Sequence, residues 1–139
     1  MDLKDINNLQ DAFDHVVSSL IAQGCGSGLY IKWLTTYSCR YRDLSGNKCA
    51  AGWLIKDDLY DPSMEGRPAS EVISGQHLSQ FGPGLNDHLD KFLELIDQLQ
   101  TAHDDTARAT HLNFVEWFKV EAKVIASKFN LEWKYGDVQ

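Results

Sequence analysis

The sequence predicts an α+β fold, and three observations predict it. Apolar residues recur at spacings of three and four in the first and last thirds of the chain, which is the helical period. The middle is rich in aromatic and β-branched residues around a Leu44-Ser45-Gly46-Asn47 turn. Glycine- and proline-dense stretches separate these regions. The expectation is a single α+β domain over residues 1–139, with an N-terminal helix, a short antiparallel β-hairpin or three-stranded sheet, and two C-terminal antiparallel helices. A chain of 139 residues that is 43% hydrophobic and 24% charged has enough apolar surface for one core.

The first helix spans about Leu3 to Gln23, because Ile6, Leu9, Phe13, Val16, Val17, Leu20 and Ile21 share one face. Asp2 or Asp5 can cap it, and Gly24 suits the left-handed turn that ends it. Gly24 to Gly28 is then a loop: no Lys-Ser or Lys-Thr pair follows the glycines, and no strand precedes them as phosphate-binding folds require. Tyr37 to Arg42 and Cys49 to Ile55 read as hairpin strands, with Leu29 to Leu34 available as a third. Alternation sends Cys49, Ala51, Trp53 and Ile55 to one face, and Arg40 and Arg42 together to another. From Lys56 to Gly84 the chain should be irregular, with one short helix near Ala69 to Ile73. Helical periodicity returns from Leu85 to about His103 and from about His111 to Phe129, joined by a short link that favours an antiparallel pair.

Composition narrows function before any motif does. A net charge of −7 argues against direct nucleic-acid binding, which needs Lys and Arg to neutralise phosphates. No run approaches the roughly 20 apolar residues of a membrane span, and the first residues lack the pattern of a signal peptide, so the reading is a cytoplasmic protein with no membrane partner. Six acids against one base lie between Asn86 and Asp105. Among them Asp87, Asp90, Glu94 and Asp97 form either a solvated outer face or a docking surface for a basic partner.

The candidate chemistry centres on Tyr37 to Gly66. Arg40 and Arg42, two residues apart, suit bidentate capture of a phosphate or carboxylate; the competing reading is pairing with Asp57, Asp58 or Glu65. Lys48, Tyr60 and His103 join them as candidate ligand contacts. Cys39 and Cys49 lack the close ligand steps of a zinc site, so no metal and no cofactor are expected, and the thiols read as packing residues. The odd total of three cysteines suits reduced thiols, although a hairpin also admits a Cys39–Cys49 bridge. His103, near the end of its apolar stripe, reads as half-buried and hydrogen-bonded. An enzymatic alternative is a hydrolase using Asp58, Glu65 and His103. The tail from Leu131 to Tyr135 would anchor the last helix or supply a homo-oligomer contact.

The run Cys39-x-Tyr41-Arg42, Gly46, Lys48-Cys49-Ala50-x-Gly52-x-Leu54-Ile55, then Asp58, Tyr60, Pro62 and Glu65-Gly66, resembles a family of small uncharacterised proteins of bacteriophages and bacteria. Leu99-Gln100-x-x-His103-Asp104 and the final Trp-bearing helix extend the resemblance to about three quarters of the chain. Trp53 and Lys56 depart from it, where a smaller residue or Cys, and Pro, are usual. The resemblance brings no activity. It implies a setting in which small accessory proteins counter host defence by sequestering a nucleotide-like anionic ligand or by masking a host protein, and a non-enzymatic binding protein of that kind is the leading expectation.

Overall fold

The computed structural model describes residues 2–31, 36–76, 78–109 and 113–136. Leu3–Asp5 forms a single 3-10 turn capped by the Asp2 side chain, and helix α1 (Leu9–Gln23) starts only after it. The start is set by Asn8, whose side chain accepts from the Asp11 amide at 2.8 Å, while the Asp11 carboxylate accepts from the Asn7 amide at 3.1 Å. This reciprocal cap outcompetes Asp2 and Asp5 as the helix start. At the other end Gly24 adopts φ 81° and its N–H returns to the Leu20 carbonyl, as its position suggested.

The expected α+β sheet is not what the chain builds, and the fold is helical instead. The strand pairing among the described residues is one ribbon, β1 (Gly28–Ile31) antiparallel to β2 (Thr36–Cys39), with Gly28 opposite Cys39 and Ile31 opposite Thr36. Part of the proposed strand Leu29 to Leu34 lies outside the described residues. The proposed hairpin shrinks to one bridge between Arg42 and Lys48, beyond which Ala51–Leu54 is a 3-10 helix. Burial explains the failure. Cys49, Ala50, Ala51, Leu54 and Ile55 are all buried, whereas Trp53, which alternation sends inward, is partly exposed. A strand with one face in the core cannot bury neighbours on both faces, but a tight helical turn of small residues can. Gly52 permits the turn to press against the Tyr41 carbonyl, where any Cβ would collide.

Asp43 organises the base of the intervening turn. Its Oδ1 accepts from the amides of Ser45 and Asn47, both at 2.9 Å, and its Oδ2 accepts from the Gly28 amide at 3.2 Å. The segment that follows is more helical than its prolines and glycines suggested: 3-10 turns at Pro62–Met64, Leu78–Gln80 and Pro83–His88 flank helix α2 (Ala69–Gln76).

Helix α3 (Leu89–Arg108) is the centre of the molecule, packing on α1, α2 and helix α4 (Phe114–Lys128). Its buried stripe of Phe92, Leu95, Ile96 and Leu99 continues through Ala102, His103, Thr106 and Ala107, which is why the helix outlasts the expected end at His103. Asn113 caps α4 through the Glu116 amide at 3.1 Å; positions 111–112 of the expected helix lie outside the described residues. The tail folds back on α1. Gln10 and Glu132 exchange two hydrogen bonds, at 2.8 and 3.1 Å, and Trp133 and Tyr135 pack around Phe13. Among the described residues no helix is long and apolar enough to cross a membrane.

Candidate functional site

Four of the five proposed ligand residues are engaged by the protein itself, three of them, Arg42, Lys48 and Tyr60, in one cluster. Arg42 Nη1 meets Asp57 at 2.8 Å and Arg42 Nη2 donates to the Ile55 carbonyl at 2.8 Å, while its guanidinium lies 4.7 Å from the Tyr60 ring centre. Lys48 Nζ reaches the same Asp57 oxygen at 3.2 Å and sits 4.6 Å from the Trp53 ring centre. The hydrogen bond and charge of Lys48, then the charge of Arg42, hold the Asp57 carboxyl below its ordinary range. The Tyr60 hydroxyl donates to Glu65 at 2.6 Å, and burial and that carboxylate raise its pKa. Glu65 also accepts from the amides of Tyr41 at 2.8 Å and Arg42 at 3.2 Å. This is the structural pairing that competed with ligand capture, and it clasps residues 41–48 to the following loop.

Arg40 also touches this cluster, its charge and a hydrogen bond acting on the Tyr60 hydroxyl against the larger raising effects. It lines a cleft of about 800 Å³ between the end of β2, the Glu65–Ala69 turn and α3, a volume within the usual range for small-molecule sites. Its buried Nε has no hydrogen-bond partner among the described residues. Arg67 and Arg108 also border the cleft, and Arg67 is paired with Glu71 at 2.7 Å. The α3 wall is the stripe Asp97, Thr101, Asp104 and Arg108, spaced four, three and four residues apart and so on one helical face.

His103 stands behind this wall, fully buried, not half-buried as its position suggested. The Ser27 amide donates to its Nε2 at 3.0 Å, so Nε2 carries the lone pair and Nδ1 the proton, which it gives to Asp104 Oδ1 at 2.9 Å. Gln100 Nε2 donates to the same oxygen at 2.8 Å. Cys39, His103 and Asp104 bring donor atoms within 4.8 Å of one another. The trio is nevertheless a poor metal cradle. A cation on Nδ1 would force a proton onto Nε2, against the Ser27 N–H, and Nε2 itself is already taken. Burial, then Asp104, pushes the Cys39 thiol up to about 12, which also removes it as a nucleophile. All three cysteines are free, and Cys49 is buried with the Gly52 amide donating to its sulfur at 3.3 Å.

The hydrolase set does not converge. Asp58 is exposed beside Lys56 and Asp57, Glu65 is saturated by three donors, and His103 is enclosed. In the acidic row, Asp87, Asp90 and Glu94 are exposed, with Glu94 3.6 Å from Lys91. Asp97 departs from that row in role: its Oδ1 accepts from the Ser70 amide at 2.9 Å, capping α2, and it borders the cleft. Sequence reading missed Asp97, Thr101 and Arg108 as cleft residues, although their polar stripe was there to be read beside the apolar one.

Comparison with protein-family models, with curated proteins and with solved structures yields no match.

Proposed function

We propose that the chain is a non-enzymatic binding protein that holds a small anionic, nucleotide-like ligand in the cleft between β2 and α3. The observation that carries this reading is Arg40, which borders the cleft while Arg42 and Lys48 are spent on Asp57. A guanidinium at a cleft wall holds a phosphate or carboxylate through charge-assisted, bidentate hydrogen bonds. Arg108 adds a second cation to the same cleft. The resemblance of the central motif supports an accessory role in a phage setting, in which sequestering a nucleotide signal counters host defence.

Isothermal titration with cyclic and linear nucleotides and with inorganic phosphate tests the reading. Binding that is lost in Arg40→Ala and Arg108→Ala but kept in Arg42→Lys is expected; no heat with any of these anions would reject it. The exposed row of Asp87, Asp90 and Glu94 favours a second reading, capture of a basic host protein. That reading requires charge reversal at Asp90 and Glu94 to abolish the capture.

A further inference from the structure

Helix α4 has two apolar faces, and the protein covers only one of them. Phe118, Ala122, Ile125 and Ala126 are buried against the rest of the chain. On the outer side Trp117, Val120 and Val124 follow one another at steps of three and four residues, the spacing of a seam that packs against a second helix. Trp117 is 45% exposed, Val124 51%, and Val120 is partly exposed. Scattered single apolar side chains at a surface need no explanation, but a row at helical spacing does.

Charge brackets this row in a fixed order. In the seven-residue frame set by Trp117 and Val124, Glu116 and Lys123 border the seam on one side, and Glu121 and Lys128 border it on the other. All four are exposed, and among the described residues none is in an ion pair within the chain. On each side the acid stands seven residues before the base, two turns away and beyond the reach of pairing along one helix.

That order matches a second copy of the helix running the opposite way. Two parallel copies would set one side of the seam against the other, opposing Glu116 with Glu121 and Lys123 with Lys128, all like charges. In an antiparallel pair each side faces its own copy. Glu116 then meets Lys123, and Glu121 meets Lys128, each pair formed twice about a two-fold axis. The apolar row agrees with the charges: Val120 comes opposite Val124, and the large Trp117 opposite the small Ser127.

We infer that two copies of the chain associate through antiparallel α4 helices, with Trp117, Val120 and Val124 as the apolar seam. The other aromatic stretch that could have joined copies, Leu131 to Tyr135, is folded onto α1 instead. A contact along one helix of 15 residues is small beside the interfaces of obligate dimers, so the association is reversible and concentration-dependent.

Sedimentation equilibrium of the full chain over a concentration series tests this, under reducing conditions so that the exposed Cys25 cannot link copies. A monomer–dimer equilibrium is expected, and Trp117→Glu should abolish it by removing the aromatic anchor. Glu121→Lys opposes lysine with lysine in the antiparallel pair and should weaken the dimer at least about tenfold. In a parallel pair the same change would oppose Glu116 with a lysine and strengthen it. Adding Lys128→Glu to Glu121→Lys exchanges the two charges and should restore the parent's affinity, a rescue that a merely structural effect would not produce. A chain that stays monomeric throughout overturns the inference. So does a dimer indifferent to Trp117→Glu, or one that Glu121→Lys leaves unchanged or strengthens.

Discussion

The Ser27 amide donates to Nε2 of His103 across 3.0 Å of fully buried interior, tying the loop after α1 to the middle of α3. The bond fixes the tautomer, and through Nδ1 it fixes Asp104 at the cleft wall. His103→Leu keeps most of the volume but strands the Ser27 N–H and frees Asp104. The expected loss is about 1–3 kcal/mol, read as a lower urea midpoint with an unchanged slope.

His15 makes stability depend on pH. Burial lowers its pKa from 6.5, opposed by its hydrogen bond to the Trp53 carbonyl at 2.9 Å, with the charge of Lys48 lowering it further. The unfolded chain therefore takes up a proton at a higher pH than the folded chain does. The contribution is fully present above pH 6.5 and is lost as pH falls from there through the lower folded value. Urea midpoints measured from pH 8 to pH 5 should fall less steeply in His15→Gln than in the parent.

The three thiols should react in a fixed order. Cys25 is exposed, its thiol raised by burial and then by Asp43, Cys39 is pushed up to about 12, and Cys49 is enclosed and raised by desolvation. Alkylation at pH 8 followed by mass mapping should label Cys25 first and Cys39 slowly, with Cys49 labelled only in denaturant. Fast labelling of Cys39 would contradict the environment described for it.

Glu65 and Asp57 carry the same charge but should differ in worth. Glu65→Gln turns an amide N–H toward one of three donors and should cost about 1–3 kcal/mol. Asp57 is largely exposed, so Asp57→Asn should cost no more than about 1 kcal/mol, shrinking as salt is added. Thermal unfolding of the two variants at low and high salt separates them.

How much of this was legible depended on the range of the interaction concerned. Gly24 announced the end of α1, and the stripes of α3 and α4 announced those helices, because caps and periodicity are local. The failure at residues 49–55 came from reading Cys49, Ala51, Trp53 and Ile55 as alternation. Small residues buried on every side leave the same pattern in a short window, and only the approach of Gly52 to the Tyr41 carbonyl separates the cases. In the site, the pairing of Arg42 with Asp57 is foreseeable because the two lie only fifteen residues apart. The cleft is not, because Arg40, Asp97 and Arg108 come to line one cleft only after α3 packs beside β2.

The net charge of the chain also bears on the time course of capture by a cleft with arginine walls. A chain of net charge −7 repels an incoming anion at long range, although the destination attracts it. Salt screens the distant repulsion first, over a Debye length of about 8 Å at physiological strength, and weakens the close arginine contact less. Association followed by stopped flow should accelerate as salt rises from millimolar levels, the reverse of ordinary electrostatic steering, and charge neutralisation at Asp87 and Asp90 should lessen that acceleration.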